Sequence, residues 1–172
     1  MIAILGGGES GVGAALLAKK EGLVPFVSDF GKIKDKYKKV LIQNEIEWEE
    51  GSHSIENILT ADEVIKSPGI SDEVPLIQQL LKKEISVISE IEFAFRYCKA
   101  KIIGITGSNG KTTTTLLMHH MLIKCGVNAG VAGNVGKSCA AQVATEDFDW
   151  YVLELSSFQL DGIKTFRADI AI

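Results

Sequence analysis

Lys101-Ile102-Ile103-Gly104-Ile105-Thr106-Gly107-Ser108-Asn109-Gly110-Lys111-Thr112-Thr113 reads as an apolar strand, a glycine-rich loop, and the opening of a helical stretch that runs to Lys124. A loop of this kind offers backbone N–H groups to the β- and γ-phosphates of a nucleotide, Lys111 can neutralise them, and the Thr112 hydroxyl can bind Mg²⁺. Gly107, Ser108, Asn109, Gly110, Lys111, Thr112 and Thr113 are thus candidate ATP-binding residues, with Lys111 a candidate catalytic group. The run departs from G-x-x-x-x-G-K-[ST] at one place: Ile105 stands where the first glycine belongs, and glycines fall at Gly104 and Gly107 instead.

Outward from this loop, short apolar runs alternate with amphipathic segments. Ile2–Leu5, Pro25–Ser28, Glu63–Lys66, Ile85–Ile88, Lys101–Thr106, Asn128–Val131 and Trp150–Leu155 read as strands, and Gly11–Glu21, Pro75–Lys83 and Lys111–Lys124 as helices. Such alternation predicts parallel α/β architecture, because parallel neighbours need crossover helices. Strand–glycine–helix units near Gly6 and near Gly107 predict two nucleotide-type folds in series. The first, residues 1–90, is Rossmann-like; the second, residues 91–172, is P-loop-like, and a helical stretch around Ser89–Cys98 joins them. The apolar alternation Asp169–Ile172 reads as one more strand at the end of an incomplete sheet, which suggests a fragment of a longer protein.

Gly6-Gly7-Gly8-Glu9-Ser10-Gly11 fits G-x-G-x-x-G between a strand and a helix, and Asp29 follows at the end of the second strand. The glycines would let a pyrophosphate approach the helix N-terminus, with Asp29 accepting from a ribose hydroxyl. A nucleotide diphosphate, NAD among them, and a tight turn without ligand all satisfy this pattern. Ser67-Pro68-Gly69-Ile70 lies where such sheets carry ligands, and it also makes an ordinary turn. Glu154 ends an otherwise apolar strand, where a carboxylate needs a partner; a magnesium ion beside the triphosphate would supply one, and solvent at a sheet edge is the alternative. Asn134, between Gly133 and Gly136, offers an amide or simply a turn.

The composition excludes several other classes. With 46% hydrophobic and 23% charged residues and a net charge of -4, nothing invites nucleic acid. The basic run Lys32–Lys39 is broken by Asp35 and fits a solvated helix face. Cys98, Cys125 and Cys139 are too scattered for a disulfide framework or a zinc site and read as reduced, buried thiols of a cytoplasmic protein. His53, His119 and His120 make no metal-binding spacing, and no apolar run is long enough for a membrane span.

The variant loop Thr106–Thr112 resembles the phosphate loop of the ATP-dependent Mur ligases and of the folylpolyglutamate synthetases. Tyr151-Val152-Leu153-Glu154-Leu155-Ser156-Ser157-Phe158-Gln159-Leu160 resembles most closely the Mur ligase branch that joins D-glutamate to UDP-N-acetylmuramoyl-L-alanine. Gly133–Gly136, Ser67–Ile70 and the first glycine cluster fall in the order that branch shows. The resemblance implies an ADP-forming ligase working through an acyl phosphate, with ATP and Mg²⁺ as cofactors. It assigns Glu9, Ser10, Asp29, Phe30 and Gly69 to the UDP end of the substrate and Asn134, Ser156 and Gln159 to the muramoyl-alanine end. Thr112 and Glu154 would hold magnesium, Glu154 being the second candidate catalytic residue. The implied partners are small molecules (the UDP-linked substrate, D-glutamate and ATP) acting on a monomer, with no nucleic acid and no membrane. A histidine and a carbamylated lysine serving a second magnesium, the adenine contacts and a third domain are implied beyond Ile172, so this chain alone is expected not to form the amide bond. The remaining alternatives are a sister ligase, a nucleotide-binding module without catalysis, and an NAD-linked oxidoreductase.

Overall fold

Ile2–Leu5 (β1) is buried at every position, as a strand covered on both faces must be. In the computed structural model, which describes residues 1–172, it is the centre of a five-stranded parallel sheet. Its neighbours are Pro25–Asp29 (β2) and Glu63–Lys66 (β4), with Glu47–Glu50 (β3) and Ser86–Ser89 (β5) outside them, in the order β3-β2-β1-β4-β5. Crossovers run through Glu9–Lys20 (α1), Asp35–Gln43 (α2), Ile55–Ile58 (α3) and Pro75–Lys82 (α4). The order reverses between β1 and β4, so the loops after these two strands border a crevice at the carboxyl edge.

Glu90–Tyr97 (α5) leads to a second parallel sheet made of Lys101–Ile105 (β6), Ala129–Gly133 (β7), Trp150–Glu154 (β8) and Ile170–Ala171 (β9), in the order β7-β8-β6-β9. Its helices are Lys111–Lys124 (α6), Cys139–Thr145 (α7) and Ser157–Asp161 (α8). Parallel α/β architecture is therefore as expected from the sequence.

The charged strand β3 escapes the apolar-run criterion. It lies at the sheet edge, where Glu49 and Glu50 meet Ser28, Ser54 and Lys38 and only Trp48 turns inward. Strand β7 begins later than the sequence suggests and reaches Gly133. Its glycines are steric: Phe148 presses on Gly130, and a side chain on Gly133 would strike the Glu154 carbonyl. Of the cysteines only Cys139 is buried; Cys98 is half-buried and Cys125 exposed, because Cys125 follows the last turn of α6 at the surface. No helix is long and apolar enough to cross a membrane.

Between the two sheets lie α1, α5 and α7, and one hydrophobic cluster runs through them from Ile4, Val12 and Leu17 to Ala132, Cys139, Tyr151 and Leu155. Helix α1 approaches α7 so closely at Gly13 that any side chain there would overlap Ser138 Oγ. The outer face of the second sheet is covered by α6 alone and buries a small set, Ile103, Ile105 and Val152. Glu92, fully buried in α5, accepts from the backbone of Lys164 (2.9 Å), Thr165 (3.0 Å) and Phe166 (2.9 Å) and from Thr165 Oγ1 (2.6 Å), which fastens the run into β9. Burial opposes its charge, but these donors outweigh it and bring its pKa down to about 2.

Candidate functional site

Pairing in register sets Ile105, Glu154 and Gly133 side by side at the carboxyl edge of the second sheet. The loop after β6 needs glycine at two points, since Gly107 has φ 139 and Gly110 φ 77. Gly110 is the N-cap of α6 and supplies no side-chain cap, so the first N–H groups of the helix face outward. Ile105, at the place of a general P-loop's first glycine, is instead a core residue.

Glu154 is 2% exposed, which removes the reading of a solvated edge carboxylate. Thr112 Oγ1 donates to its Oε2 (2.7 Å), Asn134 Nδ2 to its Oε1 (2.8 Å), and the Asn134 N–H to its carbonyl (2.9 Å). All its partners are neutral donors. Lys111 Nζ donates to the Gly107 carbonyl of its own loop (2.7 Å). Ser108 to Thr113, Asn134 and Glu154 together line an open basin of about 350 Å³ with no hydrophobic wall. The residues predicted for ATP and magnesium thus lie together.

In the first sheet, Gly6 has φ 101 and packs on Ser67, while Gly11 passes against the Gly6 carbonyl. Asp29 is engaged with the glycine loop itself: Oδ2 accepts from the Gly7 N–H (2.6 Å) and Oδ1 from the Gly31 N–H (2.7 Å). Glu9 receives the Tyr37 hydroxyl (3.3 Å), which draws its carboxylate toward α2. Phe30 is 73% exposed beside His53, with ring centroids 5.9 Å apart. Sequence reasoning missed the support behind this pair. Ser28 Oγ donates to Glu49 (2.6 Å) and meets His53 Nδ1 (2.6 Å). Burial raises the Glu49 pKa, but hydrogen bonds from Ser28 and Ser54 outweigh it and hold the group below its ordinary value. Gly69 is exposed in a loop that Lys66 braces through the Ile70 carbonyl (2.8 Å) and Asp72.

A crevice of about 220 Å³ joins the two halves, lined by Glu9, Ser10, Pro68, Gly133, Asn134, Gly136, Ser138 and Gln159. Ser156 and Gln159 form a capping box at the start of α8, each side chain meeting the other residue's N–H. The structure therefore gathers Glu9, Ser10, Asn134 and Gln159 at one crevice. Asp29 and Phe30 stand apart from it at the end of β2, and Ser156 and Gly69 are not among its walls. Asn134 lines both the basin and the crevice.

Residues 1–76 match the MurD N-terminal domain and residues 105–172 the Mur ligase middle domain. The UDP-N-acetylmuramoylalanine--D-glutamate ligases of Bacteroides fragilis and Christiangramia forsetii are each 60% identical over 171 residues, and that of Chlorobaculum parvum is 41% identical over 176. Each match covers 99% of this chain and 38% of the relative, so the chain spans 38% of the length of these curated proteins. Among solved structures, UDP-N-acetylmuramate:L-alanyl-gamma-D-glutamyl-meso-diaminopimelate ligase from Neisseria meningitides shares the fold, with TM-score 0.65 and 20% identity over 99% of this chain and 58% of that one. A pseudomurein peptide ligase type C from Methanothermus fervidus aligns with TM-score 0.54 and 27% identity over 89% of this chain and 32% of that one. With a MurD-type first half and a Mur ligase middle-domain match following it, the chain belongs to the Mur ligase family.

Proposed function

We propose that the whole protein adds D-glutamate to UDP-N-acetylmuramoyl-L-alanine at the expense of ATP, with residues 1–90 holding the UDP end and residues 91–172 opening the ATP-binding domain. The observation that carries this reading is the position of Asn134, which borders the polar basin at the glycine loop and the crevice between the sheets. A nucleotide's terminal phosphate in the first and a substrate carboxylate in the second would meet across that residue. The identity of 60% to ligases named for this reaction supports it.

In the first step a carboxylate oxygen of the alanyl group attacks the γ-phosphorus of ATP, and the bond to the departing ADP oxygen breaks. The D-glutamate amine then attacks the acyl carbon, and the C–O bond to phosphate breaks as the amine loses its proton. Lys111 must turn from the Gly107 carbonyl to the phosphates, and the free N–H groups of α6 add to the cradle. Thr112 and Glu154 fit a magnesium ion: both are oxygen donors, they already touch, and the carboxylate is buried without a cationic partner. When bound, the ion neutralises charge on the phosphate oxygens.

At the other end, Ser10, Asp29, Phe30 and Gly69 would serve the UDP portion, and Asn134, Ser156 and Gln159 the muramoyl-alanine portion. Glu9, drawn toward Tyr37, contributes its backbone at the helix start. The test is phosphate release by the full-length protein, expected only with ATP, the UDP substrate and D-glutamate together. Lys111→Ala should lower turnover by about 10²–10³-fold. Phosphate release without D-glutamate, or wild-type turnover by that variant, refutes the assignment.

A further inference from the structure

Asn134 is fastened at both ends of its loop, and the second fastening comes from the other half of the molecule. The loop leaves β7 at Gly133 and returns as a bridge between Ala132 and Lys137, then enters α7 at Ser138. There Ser138 Oγ donates to Glu90 Oε1 (2.7 Å), and the Ala140 N–H donates to the same oxygen (2.6 Å). Glu90 is the first residue of α5, 3% exposed, and no basic side chain pairs with it. Burial pushes its carboxyl pKa up, the bonds from Ala140 and Ser138 pull it down, and the nearby Glu9 charge adds to the rise.

The residue before it reaches the opposite wall. The Ser89 N–H donates to the Gly162 carbonyl (2.9 Å) at the end of α8, where a side chain on Gly162 would press into Ser89. Helix α8 carries Gln159. Ser89 and Glu90 thus grip the Asn134 loop on one side and the Gln159 helix on the other, which are facing walls of the same crevice.

We infer that Glu90 is a positioning residue: it sets the place of Asn134 relative to Gln159 and Glu154, and so aligns the substrate carboxylate with the phosphate basin. This rests on the ligase reading. A buried carboxyl with two neutral donors is a costly way to cap a seven-residue helix, whereas a fixed loop between two reacting groups repays it, because misplacement by about 1 Å costs on the order of 10²-fold in rate.

The experiment uses the full-length enzyme. Glu90→Leu keeps volume and removes the acceptor; turnover should fall about 10²-fold while the Kd for UDP, measured by calorimetry, stays within about twofold. Glu90→Gln keeps an acceptor oxygen and should restore turnover to within about threefold of wild type. Should Glu90→Leu fail to fold, Ser138→Ala removes one of the two bonds, together with the cap that Ser138 Oγ gives the Ala141 N–H, and should cost about tenfold in turnover. Folded Glu90→Leu or Ser138→Ala with wild-type turnover overturns the inference, as does parallel loss of UDP affinity and turnover that Glu90→Gln does not rescue. Absence of D-glutamate-dependent phosphate release by the wild type would refute the ligase reading instead. Hydrogen exchange at residues 134–138 then still judges Glu90: faster exchange in Glu90→Leu is expected, and unchanged exchange overturns its role.

Discussion

Replacing Glu92 by glutamine removes a charge that the fold has surrounded with donors. The carboxyl is held at about 2 against an ordinary 4.5, chiefly because Thr165, Lys164 and Phe166 outweigh the cost of its burial. At 1.36 kcal/mol per unit, that difference is worth about 3 kcal/mol at neutral pH. The folded-state pKa is depressed, so the unfolded chain takes up a proton first as the solution is acidified. The stabilisation is complete above about pH 5 and is lost as pH falls toward 2, with about 2 kcal/mol gone by pH 3. Urea unfolding of wild type and Glu92→Gln at a series of pH values from 7 to 3 measures it. The gap between them should be about 3 kcal/mol at pH 7 and should narrow steadily in acid. A gap that does not change with pH would mean that shape, not charge, holds the 164–166 segment, and the reasoning fails.

Gly13→Ala drives a methyl group into Ser138 Oγ and the Ala141 N–H and should destabilise the protein by about 1–3 kcal/mol in thermal unfolding. The Tyr151 hydroxyl is buried with no hydrogen-bond partner, and burial raises its pKa, so Tyr151→Phe should leave the melting temperature unchanged or higher. A clear drop in that variant would reveal a partner for the hydroxyl. Asp29→Ala releases the Gly7 and Gly31 N–H groups and should weaken UDP binding by about tenfold in calorimetry with the circular dichroism unchanged; unaltered affinity would remove Asp29 from the UDP end.

The grouping of the glycine-rich loop was legible because it is local: glycines, lysine and threonine adjoin in sequence and remain together in space. Glu154 was legible for a different reason, a lone carboxylate in an apolar strand demanding a partner, and Thr112 and Asn134 are partners at 2.7 and 2.8 Å. Strand β3 was not, since an edge strand stabilised by Glu49 and Glu50 carries no apolar signal. Glu90 and Glu92 were hidden for the same physical reason. Each is an ordinary helix residue by sequence, and its role depends on partners about 50 and 70 residues later, Ser138 and Thr165. Asp29 stands where a ribose acceptor would, and what the sequence did not show is that its oxygens also accept from the Gly7 and Gly31 N–H groups.

The helices packed between the sheets also bear on inheritance. Because Gly13 and Glu90 come from one side of the chain and Ser138 and Ala140 from the other, a crossover in the linker after α5 separates both halves of two fitted contacts. A chimera that received a bulkier residue at 13 or a shorter one at 90 without its matching partner would carry the mismatch at Ser138, on the wall of the crevice. The four buried positions must match one another, so the unit that can be traded intact is the pair of sheets together.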